Sequence, residues 1–190
     1  MKPLHEAHKE FLDHLKGKKR TTSTILAYGK DIEQLVRFLT DQNKANVHDV
    51  SAEDIRNFLL KLEKTGYTKK SLSRKLNSTK TFFRFLKIQE YLTDDPASMV
   101  EHPKFDTKPP RILTPMEYRA LRDAARDDAR LAAIIEVLLQ TGIRIGELAN
   151  IKTEDVYFGE DGKEGHLYIA AQENRPERTV PLNKSAEVAL

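Results

Sequence analysis

Thr141-Gly142-Ile143-Arg144-Ile145-Gly146-Glu147-Leu148 is the stretch on which the reading of this chain turns. It follows an apolar run with helical spacing and precedes a segment of strand-forming residues, so it marks a change from helix to sheet. Gly142 breaks the helix, and Arg144 just beyond it is flanked by Leu138, Leu139, Ile143, Ile145 and Leu148. Apolar neighbours of that kind can hold a guanidinium rigidly, and its planar fork matches two oxygens of one phosphate. If the chain re-enters a helix after Gly142, Glu147 falls on the same face three residues on and can orient a neighbouring group. The same spacing also describes an ordinary surface ion pair, so the motif by itself leaves both readings open.

Around this motif stand 190 residues, 39% of them hydrophobic, enough for one large domain or two small ones. Cysteine is absent, which excludes a disulfide framework, a thiolate metal site and a cysteine nucleophile, and fits a reducing cytosol. No apolar run approaches the roughly 18 residues of a membrane span, and Met1-Lys2-Pro3-Leu4-His5 carries no signal-peptide core. A cytoplasmic protein without a membrane partner is expected. The six histidines form no His-x-x-x-His or His-Glu-x-x-His pair, so no metal or other cofactor is expected.

The net charge of +3 is unevenly spread. Residues 1–108 hold 21 Lys and Arg against 15 Asp and Glu, whereas residues 109–190 hold 11 against 14. Within residues 61–87, Lys61, Lys64, Lys69, Lys70, Arg74, Lys75, Lys80, Arg84 and Lys87 face the single acid Glu63. Such a concentration favours a polyanion, most simply a nucleic-acid backbone.

Residues 4–92 read as four helices. The first covers 4–16 and ends near Gly17 and the basic turn Lys18-Lys19-Arg20. Hydroxyls of Thr21-Thr22-Ser23-Thr24 can cap the second, which buries Ile25, Tyr28, Ile32, Leu35, Val36 and Leu39. The box Ser51-Ala52-Glu53-Asp54 opens the third, which runs to Gly66, and the fourth spans 69–90 on a stripe of Leu72, Leu76, Phe83 and Leu86. On that fourth helix Lys70, Arg74, Asn77, Ser78 and Lys80 fall largely outside the stripe, where they could reach phosphates and base edges in a major groove. A merely solvated basic face is the plainer alternative.

Residues 93–113, with Pro96, Pro103, Pro109 and Pro110, read as an extended linker between domains at 1–92 and 114–190. Thr114-Pro115-Met116-Glu117 then opens a helix, and a second one covers 128–141. Three short strands follow at 156–158, 166–169 and 178–182, with Asp161-Gly162-Lys163 in the first turn, and a last helix begins at Ser185.

With these residues in place the chain resembles the tyrosine recombinases of the Xer and phage-integrase family over nearly its whole length. The resemblance is carried by Thr24-Ile25-Leu26-Ala27-Tyr28, Asp31-Ile32, Phe38-Leu39, Ser71-Leu72-Ser73-Arg74-Lys75-Leu76 and Phe82-Phe83-Arg84-Phe85-Leu86. Asp95-Pro96-Ala97, Pro103-Lys104, Pro109 and Leu113-Thr114 match the family's joint, and the arginine motif and Glu177-Arg178-Thr179-Val180-Pro181-Leu182 match its catalytic domain. It implies a mainly α fold: a four-helix SAM-like core-binding domain, then a truncated α+β catalytic domain with a small three-stranded antiparallel sheet. It also implies DNA breakage and rejoining through a 3′-phosphotyrosyl link, without a metal, by a homo- or hetero-tetramer clamped on duplex DNA. Arg144 would neutralise the reacting phosphate and Glu147 would steer its neighbours. The expected DNA contacts are Thr22, Ser23, Lys69, Lys70, Arg74, Lys75, Asn77, Ser78, Lys80 and Arg84.

The chain departs from the family pattern in two places. Glu173 stands where the family's catalytic lysine, eight residues before Pro181, is expected. Arg175 is a substitute with a high pKa and poor proton donation, and Lys163 is a weaker candidate. The His-x-x-Arg box, the later His or Trp and the tyrosine nucleophile would lie beyond Leu190. Tyr157 and Tyr168 read as packed strand aromatics. The expectation is a fragment that binds duplex DNA without cutting it, with a non-catalytic DNA-binding protein as the alternative.

Overall fold

The computed structural model describes residues 1–18, 20–106, 109–160, 164–172 and 175–190. The chain divides into two compact units, Met1–Lys108 and Pro109–Leu190. The architecture is mainly helical, with one three-stranded antiparallel sheet among the described residues. No helix among those residues is long and apolar enough to cross a membrane.

In the first unit the four expected helices form: α1 (Leu4–Gly17), α2 (Thr22–Thr40), α3 (Ala52–Lys64) and α4 (Lys69–Ile88). Hydroxyl caps set the starts of α2, α3 and α4. Thr21 accepts from the Thr24 N–H, Thr68 from the Ser71 N–H, and Ser51 with Asp54 closes a reciprocal box at α3. The end of α4 falls two residues before the expected one because Glu90 takes a left-handed φ of 59° and the Tyr91 N–H returns to the Leu86 carbonyl at 2.9 Å.

Aromatic packing fills the space between these helices. Phe11 of α1 meets Phe82 edge-on at 5.3 Å and Phe85 at 5.6 Å, while Phe38 of α2 meets Phe58 of α3 at 5.4 Å. The same core takes in Ala97 and Val100. The linker expected over residues 93–113 is therefore corrected at its start: the Asp95 side chain accepts from the Ala97 N–H at 2.8 Å, and the turn it makes lays both apolar residues onto the helices.

A buried polar cluster centred on Asp31 is built into this core. Asp31, on the inner face of α2, is 2% exposed. Its oxygens accept both terminal nitrogens of Arg74 at 2.5 and 2.9 Å, the Lys75 ammonium at 2.9 Å and the Ser78 hydroxyl at 2.9 Å. Lys75, itself 6% exposed, also donates to Gln34 at 2.7 Å. A buried charge survives only when paired and hydrogen-bonded, and this carboxylate draws three residues of α4 onto α2.

The second unit begins with α5 (Pro115–Ala124), whose N-terminus is the expected Thr114–Glu117 box with Pro115 in the first turn. It continues through α6 (Ala129–Thr141), the short α7 (Ile145–Leu148), strands β1 (Val156–Tyr157), β2 (Gly165–Ile169) and β3 (Arg178–Leu182), and α8 (Lys184–Ala189). The strands pair antiparallel in the order β1-β2-β3, with Leu167 opposite both Val156 and Val180. Val137, Ile143, Leu167, Ile169, Leu182 and Ala186 form the core. Gly165 is required where β2 starts: a Cβ there would stand 2.2 Å from Glu187 Oε1 and 2.7 Å from the Tyr157 carbonyl oxygen.

Removing the Asp31 carboxylate strands the buried Lys75 charge. Asp31→Ala should destabilise the first unit by about 3–5 kcal/mol in urea unfolding, and adding Lys75→Met should recover a large part of the loss. An unchanged midpoint for Asp31→Ala would refute this account of the core.

Candidate functional site

Gly142 ends α6 in a left-handed conformation, φ 64°, with its N–H returned to the Leu138 carbonyl at 3.0 Å. No atom lies within 4 Å of where its Cβ would be, so the glycine is needed for its backbone angle and not for space. Ile143 then drops into the core, and Arg144, in extended conformation, becomes the N-cap of α7. Burying one residue and turning at the next places Arg144 at the core's edge with its side chain 58% exposed.

The partner expected three residues on is present but is not on the surface. The Glu147 side chain is 2% exposed. It accepts the Arg144 backbone N–H at 2.9 Å and Arg144 Nη1 at 3.3 Å. From the sheet side Arg178 grips both of its oxygens, Nη1 at 2.9 Å and Nη2 at 2.8 Å. Arg175 Nη1 stands 3.9 Å from the same Oε1. The Arg178 fork foremost, and then the Arg144 backbone N–H, hold the Glu147 carboxyl down at about 2. An isolated surface pair would show neither the burial nor the shared carboxylate.

Arg144 and Glu147 are bonded to each other at this turn, and Arg175 stands beside them, 3.9 Å from Glu147 Oε1. Arg178 was missed as a site residue, although a signal for it existed. Strand alternation puts Arg178, Val180 and Leu182 on one face of β3, so an arginine opens a stripe that is otherwise apolar and core-facing. Lys163 and Glu173, weighed at the lysine position, lie outside the described residues.

Tyr157 and Tyr168 lie on the other face of the sheet. Tyr157 is half exposed and stacks on His166 at 4.6 Å, a strand aromatic packed on the outer face of the sheet. The Tyr168 hydroxyl donates to Glu177 at 2.6 Å, a bond that raises its pKa and opposes formation of a phenolate. No group of three or more metal-ligating side chains gathers among the described residues.

In the first unit Lys70, Arg74, Asn77 and Arg84 are exposed along α4 at spacings of four, three and seven, which places them on one edge of the helix. Lys69 is exposed nearby, as are Thr22 and Ser23 in the first turn of α2, while Lys80 is part-buried and reaches the Ser98 carbonyl at 3.4 Å. Two expected contacts are corrected: Lys75 and Ser78 are buried beneath this edge because Asp31 needs their donors. Arg74 keeps its side chain half exposed while bonded to Asp31.

The Glu147 arrangement has a pH signature. A carboxyl held low in the folded state adds stability that is fully present above the unfolded value of about 4.3 and is lost as pH falls from there towards the folded value. Glu147→Gln should therefore lower the urea midpoint of the second unit at neutral pH. Its deficit should shrink as both proteins are taken below about pH 4, followed through NMR signals of Leu167 and Ile169. A deficit that stays constant with pH would contradict the role of the ionised carboxylate.

Comparison with known proteins follows these two units. Residues 9–90 match the phage integrase N-terminal SAM-like domain, and residues 111–190 match the phage integrase family. A tyrosine recombinase XerC from Roseiflexus castenholzii is 31% identical over 98% of this chain and 60% of its own length, and one from Natranaerobius thermophilus is 32% identical over 95% and 60%. The chain thus spans about 60% of the length of these curated relatives. A lambda integrase tetramer bound to a Holliday junction shares the fold at a TM-score of 0.79, with 21% identity over 98% of this chain and 53% of its own. The Tn1549 transposon integrase in complex with a circular intermediate DNA gives 0.72, with 19% identity over all of this chain and 64% of its own. The two domain matches and these relatives place the chain in the tyrosine recombinase, or phage integrase, family.

Proposed function

We propose that this chain is the DNA-binding and first catalytic portion of a site-specific tyrosine recombinase, a cytoplasmic protein whose complete form works as a tetramer on DNA. The α4 edge and the first turn of α2 would supply contacts to the duplex backbone, and Arg144 would grip one phosphate. The observation that carries the reading is the cluster of three arginines around one buried carboxylate. It leaves positive charge in excess at a fixed place, as a phosphate gaining charge in a transition state requires. The names of its curated relatives support the same reading, since they are tyrosine recombinases.

Within residues 1–190 the proposed activity is binding without strand cleavage. No His-x-x-Arg sequence occurs in them, and both tyrosines that follow Arg144 stand on the sheet face away from Arg178. Glu173 at the expected lysine position favours a second reading, a DNA-binding protein of this family that has lost the chemistry.

Fluorescence anisotropy on a duplex oligonucleotide tests the reading. The logarithm of affinity should fall with log salt at roughly 0.9 per phosphate contacted. Lys70→Ala and Arg84→Ala should each reduce that slope by about one. Affinity that does not change with salt would remove the DNA reading. An SDS-resistant protein–DNA adduct would overturn the non-cleaving part alone.

A further inference from the structure

We propose that Arg178 is a positioning residue: by occupying both oxygens of Glu147 it prevents that carboxylate from neutralising Arg144, and so keeps the Arg144 fork available for a phosphate. The inference rests on the reading of Arg144 as a phosphate ligand given above and extends it to a residue on a different element.

The argument is one of competition for lone pairs. A buried carboxylate three residues from an arginine on the same turn would ordinarily take that arginine in a two-pronged bond, the strongest pairing open to both. Here the two-pronged bond goes instead to Arg178, at 2.8 and 2.9 Å, from the opening residue of β3. Arg144 is left with one longer contact, Nη1 to Oε1 at 3.3 Å, and with its backbone N–H on Oε2. Among the described residues, Nε and Nη2 of Arg144 make no hydrogen bond, so the guanidinium keeps most of its donors for a ligand.

Exposure agrees with this division of labour. The Arg144 side chain is 58% exposed and that of Arg178 is 38%, with both terminal nitrogens of Arg178 already bonded to Glu147. Arg175 approaches the same oxygen only to 3.9 Å and is too distant for a hydrogen bond. The low pKa of Glu147, caused first by Arg178, keeps the carboxylate charged at neutral pH. Placement on the inner stripe of β3, in line with Val180 and Leu182, fixes Arg178 by the same register that builds the sheet.

The test is a double-mutant cycle on the full chain with two readouts. One is affinity for a duplex oligonucleotide at fixed low salt. The other is the Arg144 Nε–Hε NMR signal, assigned by its loss in Arg144→Lys, during titration with inorganic phosphate. Arg144→Ala and Arg178→Gln should each weaken duplex binding about tenfold, and the double variant should be no weaker than the weaker single one. The phosphate response of Arg144 should be lost in Arg178→Gln and partly restored in Arg178→Lys, whose ammonium can hold only one oxygen of Glu147. Arg178→Lys, which preserves the charge, serves as the readable variant if Arg178→Gln does not fold.

Effects that multiply in the double variant would make Arg178 an independent phosphate contact and overturn the proposal. So would a wild-type phosphate response in both Arg178 variants. If the parent chain shows no duplex binding while Arg144 answers phosphate as described and loses that answer in Arg178→Gln, the DNA reading fails and the positioning role stands.

Discussion

In each unit of this protein a buried carboxylate gathers several cations around itself: Asp31 in the first, Glu147 in the second. A carboxylate removed from water must have its lone pairs filled, and the donors that fill them are then fixed in direction. Asp31 draws Arg74, Lys75 and Ser78 onto α2, and Glu147 draws Arg144 and Arg178 onto the turn after α6. The packing of helices and strands brings these groups near one another. The acid decides which of them is buried as a structural group and which keeps a free side facing water.

Seen this way, an abundance of basic residues is a poor guide to a binding surface. Nine Lys and Arg between residues 61 and 87 suggest a uniformly polyanion-seeking segment. In the fold one of the nine, Lys75, is consumed internally, and a second, Arg74, is shared between Asp31 and solvent. Among those left exposed, Lys70, Arg74 and Arg84 stand with Asn77 along one edge of α4, as helical spacing dictates. Charge count predicts the sign of the partner, whereas burial decides which side chains can meet it.

Much of the fold was legible because the signals were local. Caps at Ser51 and Thr114, apolar spacing along α2 and α4, and the glycine after α6 each act within a few residues of chain, and each element formed where those signals stand. The site was legible only in part. Arg144 and Glu147 lie on one turn and could be paired from spacing, but Arg178 is 31 residues further on and meets Glu147 only because the sheet folds back on α7. Lys75 and Ser78 were misplaced for the same reason. Their burial depends on Asp31, more than 40 residues earlier, and helical periodicity carries no information about a carboxylate on another helix.

The two carboxylates differ in how much charge they leave over. At Asp31 an arginine and a lysine face one acid, the lysine is buried, and the surplus is a single half-exposed guanidinium on the helix edge. At Glu147 three guanidiniums face one acid, and the surplus sits at a turn fixed by a left-handed glycine and an apolar anchor. A backbone contact repeated along a duplex needs only the first arrangement, because many weak phosphate contacts add. A phosphate that gains charge during reaction needs the second, because donors set in advance spend no energy reorganising as the charge develops. Under the proposed function the same device, an acid buried beneath its bases, would serve adhesion in one unit and phosphoryl chemistry in the other, according to how many arginines it holds.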